Sequence, residues 1–370
     1  MCRVAVLGSA CGDGTNDEAS NSDAESNQST TEQADDTSDT EESESADTAD
    51  DTEAAADDTD DAAGDADDEC PLGRSAEPPA DDLLPLRIVT LPIVDVAGVE
   101  YAHRCGYFAA NGIESTIEVA ASGPDAAQLV GTGEADVGVS AWHPLAPGWA
   151  AGAVPFVVAV DGAVLPPGAA NIMVAPDSDI ETINDLEGKT IAVNTTGALT
   201  EVALRAAFEA AGADFSTVTL VTVPIPEMVA TLTAGSVDAM SAYEPITSVG
   251  MASGLKVIEP ELLAGDFQNG STGGFVALGP WAEANEETIR RARLAWVEVN
   301  EMFAADEAGL RAFIPVFTGI PAELAETMLL PVPRTTTEVA NIQPSIDLAA
   351  QVGLVPETFD VTPFVAYPED

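Results

Sequence analysis

The stretch LEGKTIAVNTTGALTEVALRAAFEAAG, residues 186–212, decides the fold. KTIAVN has the length and the β-branched content of a buried strand. From Ala198 to Ala211, leucine, valine, alanine and phenylalanine recur at helical spacing as a long amphipathic helix. Asn194, Thr195, Thr196 and Gly197 join the two. That junction gathers two hydroxyls and the unpaired amides of a helix start, where the dipole adds about half a positive charge. It can hold a carboxylate, a sulfonate or a polarised carbonyl; alternatively, Thr195 or Thr196 only caps the helix.

The alternation continues in both directions. Upstream lie the strand LRIVTL (86–91), a helix over VDVAGVEYAHRCGYFAANGIE, the strand STIEVAA and the helix DAAQLVGTG. ADVGVSA (135–141), VPFVVAV (154–160) and NIMVAP (171–176) read as further strands. Downstream come the strand TLVTVP, the helix PEMVATLTAG and the strand VDAMSAY, and beyond Pro280 the pattern is mainly helical. Strands alternating with helices of about ten residues indicate an α/β fold with largely parallel sheets. LVGTGEADVGVSAWHP and LTAGSVDAMSAYEP repeat one plan, helix end, Gly turn, strand, aromatic, proline, as two similar lobes would.

In such sheets ligands sit outside the carboxyl ends of strands. That rule selects Pro92 and Asp95, then Ser122 and Gly123. It also selects Ser140, Trp142 and His143, then Asn194, Thr195, Thr196 and Gly197, and finally Tyr243 and Glu244. Asp161 lies near the first passage between lobes. Trp142 and Tyr243 either sandwich a flat ligand or pack on their own lobes. His143 either contacts ligand or is a satisfied loop histidine, and Glu244 either contacts ligand or braces the hinge. These loops hold acids and no Lys or Arg, so a flat nitrogen-bearing ligand fits them better than a multiply charged anion.

The 370-residue chain carries a formal net charge of −52, which excludes nucleic acid as a partner because phosphate binding needs clustered bases. Between Gly12 and Cys70 lie 24 acidic residues and no Lys or Arg. That segment has too few apolar residues to offset chain entropy and reads as a disordered linker or spacer. Of Cys2, Cys11, Cys70 and Cys105, none forms a metal or dithiol spacing, and Cys105 reads as a small buried hydrophobe. No later run is long and apolar enough to span a bilayer. Gly188-Lys189-Thr190 lacks the earlier glycine and the following helix of a phosphate loop, and no G-x-S-x-G occurs.

MCRVAVLGSACGDG resembles the end of a bacterial lipoprotein signal, with Cys11 as the lipidated residue, although Gly8 stands where leucine is usual. Ten residues are too few for a charged n-region and an apolar core, which places the start further upstream. GYFAANGIE, LVGTGEADVGVS, INDLEGKTIAVNTTG, AGSVDAMSAYEP and the Pro280–Trp281 step, in this order, resemble the periplasmic solute-binding proteins of ABC importers, in particular the SsuA/THI5/NMT1-like group. The resemblance implies a two-lobe periplasmic-binding-protein-like (type II) fold with ligand between the lobes. One lobe is expected at 84–168 plus 282–370 and the other at 169–281, after a signal remnant at 1–11 and a linker at 12–83. It further implies a monomeric, cofactor-free and metal-free binder of a small organic solute, such as a thiamine-precursor pyrimidine, sulfonate, taurine or nitrate. Such a binder serves an ABC permease from the outer face of the cell membrane, anchored through Cys11. The alternatives are an enzyme on the same fold, such as a thiamine-pyrimidine synthase, and a tail-dependent surface interaction protein.

Overall fold

Branched apolar runs form strands at β1 (Leu84–Thr90), β2 (Ile113–Val119), β3 (Val137–Ala141), β4 (Phe156–Val164), β5 (Ala170–Val174), β6 (Thr190–Val193), β7 (Thr219–Thr222) and β8 (Ala239–Tyr243). Three more follow: β9 (Lys256–Glu259), β10 (Gly273–Leu278) and the short β11 (Val332–Pro333). These come from a computed structural model that describes residues 69–77, 81–259, 262 and 270–367. The expected signal, Cys11 and most of the acidic linker lie outside the described residues.

The helices are α1 (Ala97–Arg104), α2 (Tyr107–Ala110), α3 (Gly123–Thr132), α4 (Ala146–Ala150), α5 (Leu199–Ala211) and α6 (Met228–Thr233). They continue as α7 (Ile246–Ala252), α8 (Gly279–Ala284), α9 (Glu286–Ala305), α10 (Glu307–Thr318), α11 (Ala322–Thr327) and α12 (Val339–Gln351). The single helix expected after β1 is broken into α1 and α2 at Gly106, whose φ of 87° belongs to the left-handed region that glycine enters without a Cβ penalty.

Two sheets result. The first has the order β11-β4-β10-β3-β1-β2 and the second β7-β6-β8-β5-β9. β1, β2 and β3 are parallel, as are β6, β7 and β8, whereas β10 and β5 run against their neighbours. The chain leaves the first sheet after Val164 and enters the second at Ala170. It is back in the first sheet by Gly273, where β10 pairs with both β3 and β4. The expected lobe boundary at 281/282 is therefore too late: β10, assigned from sequence to the second lobe, fills a central position of the first sheet.

Helices bury the faces their spacing dictates. On α5, Leu199, Val202, Ala203, Leu204 and Phe208 pack into one cluster with Ile191 and Ala239 of the second sheet. Each large side chain of that set contributes about 1.5–3 kcal/mol over an exposed one. On α9, Ile289, Ala292, Trp296, Val299 and Phe303 face the first sheet and α1, with Trp296 edge-on to Phe275 at 5.0 Å. A separate cluster joins Trp142, Trp149, Val158, Ile342 and Ile346 on the other side of that sheet.

Ordered structure also begins earlier than the expected residue 84. Cys70 is bonded to Cys105 in a disulfide. The Leu72 N–H donates to the Tyr101 hydroxyl, which donates to the Gly73 carbonyl, both at 2.9 Å. Leu72 also lies against α10 at Gly309. The reading of Cys105 as a lone buried hydrophobe is corrected: it is buried, but covalently paired. Spacing alone does not reveal the pairing, because the partner sits beside an acidic run that has no core-forming residues of its own.

Candidate ligand-binding cleft

A cavity of about 360 Å³ lies where the strand ends of the two sheets meet. The first sheet supplies Leu91, Ile93, Asp95 and Val96 after β1, and Gly123, Pro124 and Ala127 at the start of α3. It adds Val139, Ser140, Ala141, Pro144 and Leu145 around the end of β3, and Gly162 and Leu165 at the end of β4. The second supplies Asn194, Thr195, Ala198 and Leu199 at the β6–α5 junction, and Tyr243 at the end of β8. Because β10 is antiparallel, its beginning reaches the same rim and contributes Thr272, Gly273, Gly274 and Phe275.

Asp95 is the one carboxylate among the described lining residues, and no Lys or Arg stands with it. Burial pushes its pKa up to about 6, against a weak opposing hydrogen bond from the Thr272 hydroxyl at 3.4 Å. Tyr243, across the cleft, has its hydroxyl pKa raised by burial, with the Asp95 charge adding to the effect. Carboxyl and phenol thus belong to one electrostatic environment although they come from different sheets.

At the β6–α5 junction the helix start is already engaged. The Gly197 N–H donates to Glu201 Oε2 at 2.7 Å, and Glu201 Oε1 accepts from Arg205 Nε at 2.7 Å. The bond resembles the reach-back half of a capping box displaced by one residue, because the amide it takes belongs to Gly197, ahead of the N-cap Ala198. The N-cap is Ala198, without a side-chain cap. Thr195 donates to the Asn194 carbonyl at 2.8 Å, and Asn194 Oδ1 accepts from Thr200 at 2.7 Å. The capping reading of NTTG is corrected, since neither threonine caps the helix; Asn194 and Thr195 do line the cavity, while the Gly197 amide just ahead of the N-cap is taken by the protein's own carboxylate.

Six of the fourteen sequence candidates line the cavity: Asp95, Gly123, Ser140, Asn194, Thr195 and Tyr243. The other eight are placed elsewhere. Pro92 is only partly buried and outside the lining. The Ser122 side chain caps α3, accepting from the Asp125 N–H at 3.3 Å. Trp142 is fully buried, donates through Nε1 to Ser271 at 3.0 Å and stacks on Trp149. His143 is fully buried outside the lining, and burial pushes its pKa down to about 4. Asp161 is buried beside the lining residue Gly162, whose N–H it accepts at 2.9 Å, and its pKa rises to about 6 through burial. Thr196 is exposed, and Gly197 is buried under the α5 cap. Glu244 is buried, accepts from the Ser248 N–H and hydroxyl at the start of α7, and takes the Leu329 N–H at 3.4 Å. Burial raises its pKa.

The missed contributors are apolar residues and bare backbone. Leu91, Leu145, Leu165 and Leu199 carry no polar group that singles them out in the sequence, Ile93 falls in the loop after β1 that the strand-end rule selects, and β10 was absent from the expected strands. The Gly-Gly pair at 273–274 was the available signal: a Cβ on Gly274 would lie 2.3 Å from the Val160 carbonyl oxygen, and one on Gly273 2.5 Å from that of Ser140. Only glycine lets β10 pass that closely between its neighbours. Among the described residues no cluster of His, Cys, Asp and Glu is placed to hold a metal ion, and no helix is long and apolar enough to cross a membrane.

The chain is 26% identical over 247 residues to the "Putative aliphatic sulfonates-binding protein" of Escherichia coli (strain K12), covering 65% of this chain and 75% of that protein. In structure it is similar to the alkanesulfonate-binding protein SsuA from Xanthomonas axonopodis pv. citri bound to MOPS. There the TM-score is 0.64 with 22% identity, over 77% of this chain and 99% of that one. The desulfurization enzyme DSZB shares the fold at a TM-score of 0.57 and 15% identity, over 77% and 96% of the two chains. The fold is that of the periplasmic binding proteins, and the family model described as NMT1/THI5 like matches residues 93–295. On that match over more than half its length, the chain belongs to the NMT1/THI5-like family.

Proposed function

We propose that this protein is the extracytoplasmic solute-binding component of an ABC importer. It captures a small, flat, nitrogen-bearing organic molecule between its lobes and presents it to a membrane permease. The observation that carries this reading is the cavity itself, about 360 Å³, walled by strand ends of both sheets and apolar except for a few placed polar groups. A ring can lie among Leu91, Ile93, Leu145 and Leu199, and an amine or ring N–H can donate to Asp95. The Escherichia coli and Xanthomonas relatives are named for binding sulfonates, so a solute of similar size is expected in this cavity. Its lining acid and lack of a lining base favour a donor over an anion.

The Cys70–Cys105 disulfide supports a location outside the reducing cytoplasm. In the same reading, Cys11 carries a lipid and the acidic segment is the spacer that lets a monomeric clamp reach the permease. A binding role is favoured over turnover because the titratable groups lining the cavity are Asp95 and Tyr243, while both described cysteines are spent in the disulfide. Calorimetry with taurine, an alkanesulfonate, nitrate and a thiamine-type pyrimidine tests the ligand class. Micromolar binding of the pyrimidine is expected; micromolar binding of a sulfonate alone would overturn the donor preference.

A further inference from the structure

We propose that Glu201 is a specificity-determining residue that makes the cleft reject anions. This rests on the reading of the cavity as the solute site and names what that site excludes. α5 is 13 residues long and its first residue, Leu199, with Ala198 before it, forms part of the cavity wall. A helix start of this kind attracts anions through its free amides and dipole. Here a carboxylate from one turn inside the helix reaches back to the Gly197 N–H at 2.7 Å, and Glu201 is 2% exposed. Its second oxygen is tied to Arg205, so that cation is directed at Glu201.

Capping alone does not require the charge. A glutamine at position 201 could accept the same N–H without the cost of burying an ion. The charge has a consequence the amide lacks: an anion at Asn194 and Thr195 would face the carboxylate end of the Glu201–Arg205 pair, held just ahead of the N-cap with its cation a turn further from the cavity wall, and a second carboxylate, Asp95, on the facing wall. A neutral or cationic donor meets no such penalty. Selectivity against anions is thus built from both lobes, with Glu201 acting through the α5 start and not by touching ligand.

Benzoate, benzamide and benzamidine test this, being flat, nearly isosteric, and anionic, neutral and cationic in turn. Binding to the full chain is measured by calorimetry and ligand-observed NMR. The wild-type order is expected to be benzamidine, then benzamide, then benzoate. Glu201→Gln keeps an acceptor for Gly197 and is expected to raise the benzoate-to-benzamide affinity ratio about tenfold, the upper range of a charge at a helix start. Arg205→Gln leaves Glu201 less neutralised and is expected to lower that ratio, which covers the case in which the first variant folds poorly. A merely structural role would shift all three probes together. If benzamide binds, is blocked by Ala127→Trp in the cavity, and neither variant moves the ratio, the inference fails while the cavity reading stands. If no probe binds any variant, the cavity reading and the inference fall together.

Discussion

At the residue scale, Asp95 combines an aliphatic setting, a partner tyrosine and a displaced pKa, and its pH behaviour follows in sign. With a folded pKa of about 6 against 3.8 in the unfolded chain, the neutral acid is the form the fold prefers. Its stabilising contribution is complete below pH 3.8 and is lost as pH rises through about 6. Asp95→Asn is therefore expected to raise the melting temperature relative to wild type at pH 8 and to leave the difference near zero at pH 4. Ligand binding has the opposite sign, because the ionised carboxylate is the better acceptor: benzamidine affinity is expected to climb several-fold between pH 5 and pH 7 and to be flat in Asp95→Asn. Trp142 makes a contrasting case. Buried against Trp149 and bonded to Ser271, it is expected to cost about 3–5 kcal/mol in denaturant unfolding when changed to alanine, as for other large core truncations. Strand-end position identified Ser140 and Trp142 equally from the sequence. It could not tell that one side chain meets the cavity and the other passes beneath the sheet, because that depends on the α4 and α12 residues packed there.

At the scale of elements, parallel strands and their helices were legible because branched runs and Gly stops repeat on a regular plan. β10 was not, because STGG reads as a turn and nothing in GGFVAL shows that it will be captured between β3 and β4 far away in the chain. Its glycines are the price of that capture. Gly274→Ala is expected to lower stability and abolish binding at the cleft, since the added methyl meets backbone oxygen on a neighbouring strand. The segment before β1 was misjudged for a similar reason: a composition with little core-forming content hid one cysteine with a distant partner. A disulfide closing a loop of this size is worth about 3–4 kcal/mol in the chain-entropy account. Cys105→Ser, or a chain starting at Leu83, is expected to unfold at correspondingly lower denaturant than one starting at Glu69, with the β1 core intact.

At the scale of the molecule, two sheets share one cavity, and Glu244, just after β8, takes the N–H of Leu329 in the segment before β11. Ligand shifts such a clamp only by as much as it prefers the closed form. Small-angle scattering is expected to give a smaller radius of gyration with a saturating ligand; identical curves with a ligand of proven affinity would count against closure. The disulfide also fixes how the body responds to pulling. Force applied through residues before Cys70 passes across the sulfur bond to Cys105 and enters at the junction of α1 and α2. It therefore bypasses β1, a strand between β2 and β3 that would otherwise be peeled outward from its first residue. Load applied from the N-terminal side therefore leaves the loop at Asp95 free of tension, and the cleft keeps its geometry under that load.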